Sequence, residues 1–257
     1  MQSYIKNKFL GLFALFMGAS VPALHAGQPV EPYITADLTS AYLWRGQKNA
    51  GISIQPVLGI KWNGLNFYVW GNEQLSPPAD QRPIKHEIDF FLKYQLTPNW
   101  NIGLKDVYVN TRGKGFFSFG SVDHAANGLD VLLTYSNKWF EADWTTTVAG
   151  YDGTDHQGKR AFGSYLILSN RPVNWCHIDW TGSVGIVPYY CSRYSEDDSN
   201  GFHVNMVSAK ASHTFDLNKA KTTNIGVYTE LMVNPSGRKA YFRVGAKFTF
   251  DPMAKSK

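Results

Sequence analysis

From residue 34 to residue 250 apolar and polar side chains alternate with a period of two, and no 3.6-residue period takes hold. That pattern predicts twelve strands. The first runs from Ile34 to Arg45, with Ile34, Ala36, Leu38, Tyr42 and Trp44 opposed to Thr35, Asp37, Thr39 and Arg45. The second, Ile52 to Trp62, sets Ile52, Ile54, Leu58, Ile60 and Trp62 against Ser53, Gln55 and Lys61. Asn63-Gly64, a strong hairpin signal, leads to a third from Leu65 to Gly71. The rest are expected over His86 to Gln95, Trp100 to Asn110, Gly128 to Tyr135, Phe140 to Val148 and Arg160 to Ser169. His177 to Val187, Phe202 to Phe215, Thr222 to Val233 and Ala240 to Phe250 complete the set.

The connections alternate in length. Odd-numbered ones are mostly long and even-numbered ones mostly short, and the longest runs from Thr111 to Asn127. An up-and-down barrel in an outer membrane has this rhythm, with long loops outside and tight turns on the periplasmic side. A soluble β-sandwich has no reason for it. The predicted fold is all-β, a single antiparallel up-and-down transmembrane β-barrel of about 12 strands, with both termini periplasmic.

Aromatic placement points the same way. Trp62, Tyr94, Trp100, Tyr135, Trp139, Trp175, Phe215 and Phe250 fall at the strand ends that meet short turns. Tyr42, Trp44, Trp70, Tyr108 and Tyr189 fall near the other ends. Two such girdles suit two membrane interfaces, where a ring is apolar on one side and hydrogen-bonds on the other. A soluble barrel would put the apolar faces inside, and one this wide would enclose too much apolar area. In lipid the assignment inverts, and closure leaves no unpaired edge in hydrocarbon.

The N-terminus reads as an export signal: Lys6 and Lys8, an apolar run from Phe9 to Met17, then small residues up to Ala26. The apolar run is too short to span a bilayer as a helix. Cleavage is expected after Ala26, with Ala23 as the alternative, so that 1–26 is signal peptide and 27–257 barrel with a short C-terminal tail. Losing the two lysines takes the net charge from +5 to +3, and with no concentrated basic patch nucleic acid is not an expected partner. Cys176 and Cys191 flank the strand-like run from His177 to Pro188. Extended at about 3.3 Å per residue, that run holds them too far apart for an intramolecular disulfide, which needs Cα atoms about 5.5 Å apart.

The segment from Ala240 to Phe250 alternates cleanly and ends on an aromatic. It resembles the C-terminal strand that outer-membrane assembly machinery recognises, although seven residues, Asp251 to Lys257, follow Phe250. Ser40-Ala41-Tyr42-Leu43-Trp44-Arg45-Gly46-Gln47 resembles the Ser-x-Tyr-x-x-Arg-Gly opening of the TorF-type porin family of small outer-membrane barrels. The likeness continues through Pro56, Gly59, Gly64, Trp70-Gly71-Asn72 and Glu87-Ile88-Asp89, covering residues 34–95. It implies an outer-membrane channel-like protein and supplies no substrate.

On this reading Arg45, Lys61, Lys93, Lys105, Lys210, Arg243 and Lys247 face the lumen, with Asp37, Glu87, Asp89, Asp130, Glu141, Asp143, Asp179 and Glu230. A selective pore shows one dominant sign at its constriction. Near-balance instead points to cross-lumen ion pairs. Two states fit: a narrow polar channel, or a lumen plugged by side chains and an inward-folded loop. The loop from Thr111 to Asn127, carrying Phe116, Phe117 and Phe119, is the candidate constriction; alternatively its aromatics pack on the barrel rim.

Catalytic and metal chemistry find little support. A lipid hydrolase needs Ser, His and an orienting Asn or acid together. Only His203 lies near the outer rim with such neighbours, and no Gly-x-Ser-x-Gly occurs. Asp152, Asp155 and His156 share one loop, and Glu196, Asp197 and Asp198 another, without a Ca²⁺-ligand spacing; solvated or lipopolysaccharide-facing charge is the expectation. No catalytic, metal or cofactor site is expected. The predicted function is a porin-like channel for passive diffusion of small polar solutes, embedded among outer-membrane lipid and lipopolysaccharide. The alternative is a non-conducting barrel that anchors or binds through its extracellular loops.

Overall fold

The computed structural model describes residues 29–76, 86–109, 115–120, 122, 125–195 and 201–253. The signal peptide with its cleavage site, His124 and the acidic run at 196–198 lie outside the described residues. Among those described there is no helix.

Twelve long strands follow in chain order, interrupted by three short ones. They are β1 (Glu31–Thr39), β4 (Ser53–Trp62), β5 (Leu65–Gln74), β6 (His86–Gln95), β7 (Trp100–Val109) and β8 (Asn127–Ser136). Then come β9 (Phe140–Gly150), β10 (Ser164–Asn170), β12 (Ile178–Val187), β13 (His203–Asp216), β14 (Thr223–Asn234) and β15 (Lys239–Phe250). The short ones are β2 (Tyr42–Trp44), β3 (Gln47–Ala50) and β11 (Val173–Trp175). Each long strand pairs antiparallel with the next, β15 returns to β1 (Asp37 opposite Lys247), and β10 pairs directly with β12. The sheet is therefore a closed twelve-strand barrel with no free edge.

The two faces settle which side meets lipid. Along β4, Ser53 and Gln55 are buried, whereas Ile54, Leu58 and Ile60 point out, Leu58 at 61% exposure. Along β15 Phe242 is 65% exposed while Arg243 faces in. A register slip of one residue would exchange the faces, and the pairing fixes the apolar set outside. Ile34, Leu38, Leu92, Leu133, Val207 and Leu231 continue the belt around the barrel. Hydrocarbon is the medium in which this outside and this inside are both favourable. At the short-turn end Trp100 packs on Tyr135 at 4.9 Å and Tyr135 on Phe140 at 5.7 Å, with Trp139, Trp175, Phe215 and Phe250 exposed beside them.

Two expectations fail. The first strand ends at Thr39, not at Arg45: past Ser40, whose amide still donates to the Val244 carbonyl, the chain folds inward as the β2–β3 hairpin and rejoins the wall at Ile52. Alternation through Trp44 hid this, because a hairpin arm alternates as a wall strand does. The second is the far girdle. Tyr108 and Tyr189 lie outside, but Tyr42, Trp44 and Trp70 pack inside the barrel.

Candidate functional site: the occluded lumen

The hairpin crosses the lumen because its tip can turn tightly there. Arg45 and Gly46 both take positive φ (48° and 79°). A Cβ on Gly46 would lie 1.9 Å from the Asn205 carbonyl oxygen, so only glycine fits. Asn205 on β13 donates to the Arg45 carbonyl (3.1 Å), and Asn234 on β14 donates to the Gly46 carbonyl (3.1 Å). Both asparagines are fully buried.

Arg45 locks the tip from the other side. Its guanidinium donates to the Tyr194 hydroxyl and to Thr145 Oγ1 (2.9 Å), and lies 4.7–5.2 Å from the rings of Trp44, Tyr165 and Tyr194. A cation held between ring faces and away from water gains about 2 kcal/mol. Tyr194 comes from the β12–β13 loop, which also turns inward: Gln47 donates to the Arg193 carbonyl, and Arg193 donates to Thr147 and sits 3.7 Å from Asp130. Burial against Trp44, Tyr151 and Tyr194 replaces water around Arg193 with rings and carboxylates.

The hairpin has two unlike sides. Ala41 and Leu43 pack on Met206 and Met232, with Ile167 and Tyr241 around them, an apolar seal against the β10–β15 wall. Tyr42 turns the other way, donating to Glu87 Oε1 at 3.4 Å and packing on Trp70 at 5.5 Å. There the wall is polar: Gln55 donates to Asn72 (2.9 Å), and Lys105 pairs with Asp89 (2.8 Å).

The structure places the predicted lumen residues as follows. Glu87, Asp89, Lys105 and Asp130 face inward and gather around the hairpin. Arg45 is inside too, but at the hairpin tip rather than on a wall strand. Glu230 accepts from Arg243 Nε at 2.7 Å. Asp37 accepts from the Tyr228 hydroxyl (2.9 Å), and the Lys210 ammonium lies 4.4 Å from the centre of the Tyr228 ring. Lys247 opposes Asp37 across β15 and β1. Nearer the termini, Lys61 pairs with Asp251, Glu141 with Arg171, and Asp143 accepts from Thr134. Asp179 accepts from Asn174, and Lys93 lies over Tyr68 and Phe91. Inward tyrosines fit the wall by lying over glycines of the neighbouring strand, Tyr33 over Gly59 and Tyr228 over Gly245.

The expected constriction from Phe116, Phe117 and Phe119 is corrected. Phe116 stacks on Tyr108 (3.8 Å) and edges onto Phe90, both on the outer face, and Phe117 is 78% exposed. Phe119 lies at the rim beside Gly150. Three aromatics in one loop find more apolar surface outside the barrel than in its polar lumen. The occluding residues that sequence reasoning missed are Tyr194, Arg193, Asn205 and Asn234. The signal was the Arg45-Gly46 pair itself, which reads as a turn rather than a strand end.

Asp152 and Asp155 play structural parts in their loop. Asp152 is buried, accepts the Gly153 and Gly163 amides and faces Arg160 at 3.7 Å. Burial pushes its carboxyl up, against the pull of those amides and of Arg193 and Arg160. Asp155 caps its own turn by accepting from Gln157 and Lys159, and His156 stacks on Tyr190 at 3.7 Å. The described residues hold no group of three or more metal-ligating side chains. His203 Nδ1 lies 2.9 Å from the Gly201 carbonyl, and its neighbour Asn205 is committed to the hairpin. Cys191 is buried beside Tyr194 and burial pushes its thiol up, whereas Cys176 is exposed in the turn between β11 and β12. A maleimide is therefore expected to label Cys176 and spare Cys191 in the folded protein, and to label both after denaturation; mass spectrometry distinguishes the outcomes.

No family model and no curated protein matches the chain. Solved structures do. An outer-membrane channel from Pseudomonas putida F1 is 10% identical, with a TM-score of 0.41 over 91% of this chain and 99% of its own. Outer-membrane phospholipase A from Escherichia coli is 12% identical (TM-score 0.36, 86% and 92% covered). The Salmonella typhi outer-membrane phospholipase, a dimer with bound calcium, is 14% identical (TM-score 0.36, 86% and 90% covered). All three are bacterial outer-membrane proteins. Likeness at this level concerns general form and carries nothing about activity.

Proposed function

We propose that this chain is a porin-like channel of a bacterial outer membrane, passing small polar solutes by diffusion, with the β2–β3 hairpin as its constriction. The observation that carries this reading is the inverted barrel whose inner wall bears charges and amides from end to end. A polar inner wall is one that water and polar solutes can wet. Kinship with the TorF-type porins is part of the same reading: Tyr42, Arg45, Trp70, Asn72, Glu87 and Asp89, which carry the resemblance, meet inside the barrel. Planar-bilayer recording tests it. Discrete current steps of reproducible size are expected, and a folded but silent barrel overturns it.

The apolar seal of Ala41 and Leu43 on Met206 and Met232 favours a second reading, a non-conducting barrel that binds through its loops. We take the barrel not to be an enzyme, and turnover on phospholipid micelles would reverse that. Its long loops face outward and its termini face the periplasm in this reading. A membrane-impermeant maleimide should then leave Cys176 unlabelled on intact cells and label it after the outer membrane is opened. Labelling on intact cells inverts the orientation.

A further inference from the structure

We propose that the lipid face of the wall from β9 to β13 holds one phospholipid with an anionic headgroup, an acyl chain lying in a groove of the wall and the phosphate meeting Lys138 and Arg171. The inference goes beyond the channel reading. It needs hydrocarbon outside the barrel and does not depend on what crosses the lumen.

The groove follows from where side chains are small or laid flat. On the outer face Asn170 lies opposite Phe140, and Ala209 lies between Gly182 and Leu231. Gly182 has no side chain and Ala209 only a methyl. The ladder from β10 to β12 stops at Ser169–Ser183, and β11 resumes it at Val173–Trp180. Asn170 patches the gap: its Oδ1 accepts from the Gly182 amide, and its Nδ2 donates to the Arg171 carbonyl (2.6 Å) and the Trp180 carbonyl (3.3 Å). A side chain held in this way lies along the wall and does not stand away from it. Its amide reaches the lipid face without being left unpaired there. The result is a groove of about 630 Å³, walled by Phe140, Leu168, Val184 and Val207 with Gly182 between them.

The headgroup level adjoins the groove. Trp139 and Trp175 are exposed, and Trp180 lies 6.4 Å from Trp175, the kind of girdle that marks an interface. The Arg171 amide donates to the Trp139 carbonyl (2.9 Å), which joins the turns that follow β8 and β10. Phe140 and Asn170, next in the chain to Trp139 and Arg171, line the groove. Lys138, 4.8 Å from the centre of the Trp139 ring, and Arg171 therefore stand at one edge of it, both exposed. Arg171 gives Nη1 to Glu141 (3.0 Å). Two cations thus face one carboxylate, and a phosphate diester meets the excess. A zwitterionic lipid brings its own cation with the phosphate and gains less. Shape selects the occupant as well. A second copy of the chain presents a convex wall, which touches a groove only at its rims, whereas a hydrocarbon chain lies down into it.

Native mass spectrometry of the full chain, refolded in detergent with equal amounts of phosphatidylglycerol and phosphatidylcholine of identical acyl chains, tests this. One phosphatidylglycerol per barrel is expected, in several-fold excess over phosphatidylcholine. Ala209→Leu fills the groove from an exposed, outward position and is expected to lose both lipids several-fold. Should that variant not fold, Val207→Phe narrows the same groove and carries the same expectation. Lys138→Gln/Arg171→Gln is expected to keep a bound lipid and lose the preference. Ala246→Leu, beside Leu38 on the outer face of β15 and β1, is the control and should bind as the parent does. Equal retention of the two lipids by the parent, or parent-like retention by the groove-filling variant, overturns the site. A parent dimer that the groove-filling variant turns into a monomer gives the groove to a second copy and overturns it as well.

Discussion

Replacing Gly46 by valine is expected to unseat the hairpin. The backbone there has φ of 79°, and a Cβ would meet the Asn205 carbonyl oxygen at 1.9 Å, with the Asn205 carbonyl carbon at 2.9 Å. Both obstacles are main chain of a wall strand, so neither can swing aside. A non-glycine residue forced into this conformation costs about 1–3 kcal/mol before the clash is counted, and about 3 kcal/mol raises the unseated population by about two orders of magnitude. Losing the tip takes the Arg45 and Gly46 carbonyls from Asn205 and Asn234, and the Arg45 guanidinium from Tyr194 and Thr145. The barrel wall does not depend on the hairpin: β1 pairs with β4 from Glu31 to Thr39 and with β15 from Ile34 to Thr39. The variant should therefore keep its β-sheet signal and its heat-modified migration while its bilayer currents grow larger and noisier. Gly120→Ala, where nothing lies within 4 Å, is the matched control and should conduct like the parent. Equal currents from Gly46→Val and the parent would mean that the hairpin does not limit flow.

The wall was legible in the sequence and the plug was not, for a physical reason. A wall strand carries its own environment in its side chains: Ile54, Leu58 and Ile60 on one face and Ser53 and Gln55 on the other declare lipid and lumen within a few residues. Strand ends differ from those expected by three residues at most, except where loops take over. Residues 160–163, which alternation alone places in a strand, instead close the loop that Asp152 staples. The hairpin has no such local declaration. Tyr42 alternates with Leu43 as if on a wall, and only partners more than a hundred residues away, Asn205 and Asn234, decide that the segment lies inside. For the same reason Phe116 misled: an aromatic loop can cover a lumen or an outer face, and the partners that decide, Phe90 and Tyr108, are named by pairing rather than by composition. Lumen charges came out on the inner face because parity alone places them. Which of them meet, such as Asp89 with Lys105 or Glu230 with Arg243, follows from strand register.

The assignment of lipid to the outer face makes the second large prediction. Leu58 stands in the middle of β4, flanked on the same face by Ile34 of β1 and Val69 of β5, and is 61% exposed. In a water-soluble protein an arginine at so exposed a site would shift stability by about 0.5 kcal/mol or less. In a membrane barrel the same residue sits in hydrocarbon, where arginine near the midplane costs about 2–4 kcal/mol and progressively less toward the interfaces. Leu58→Arg should therefore lower the free energy of unfolding in lipid vesicles by that amount, read from the denaturant midpoint at constant slope. Ile60→Arg, on the same face but two residues from the Trp62 girdle, should lose less, because its guanidinium reaches the headgroups. Soluble packing offers no reason for that gradient, since Ile60 at 44% is the less exposed of the two and would there be the costlier site. The order of the two losses thus separates oil from water outside the barrel, independently of whether any ion passes through it.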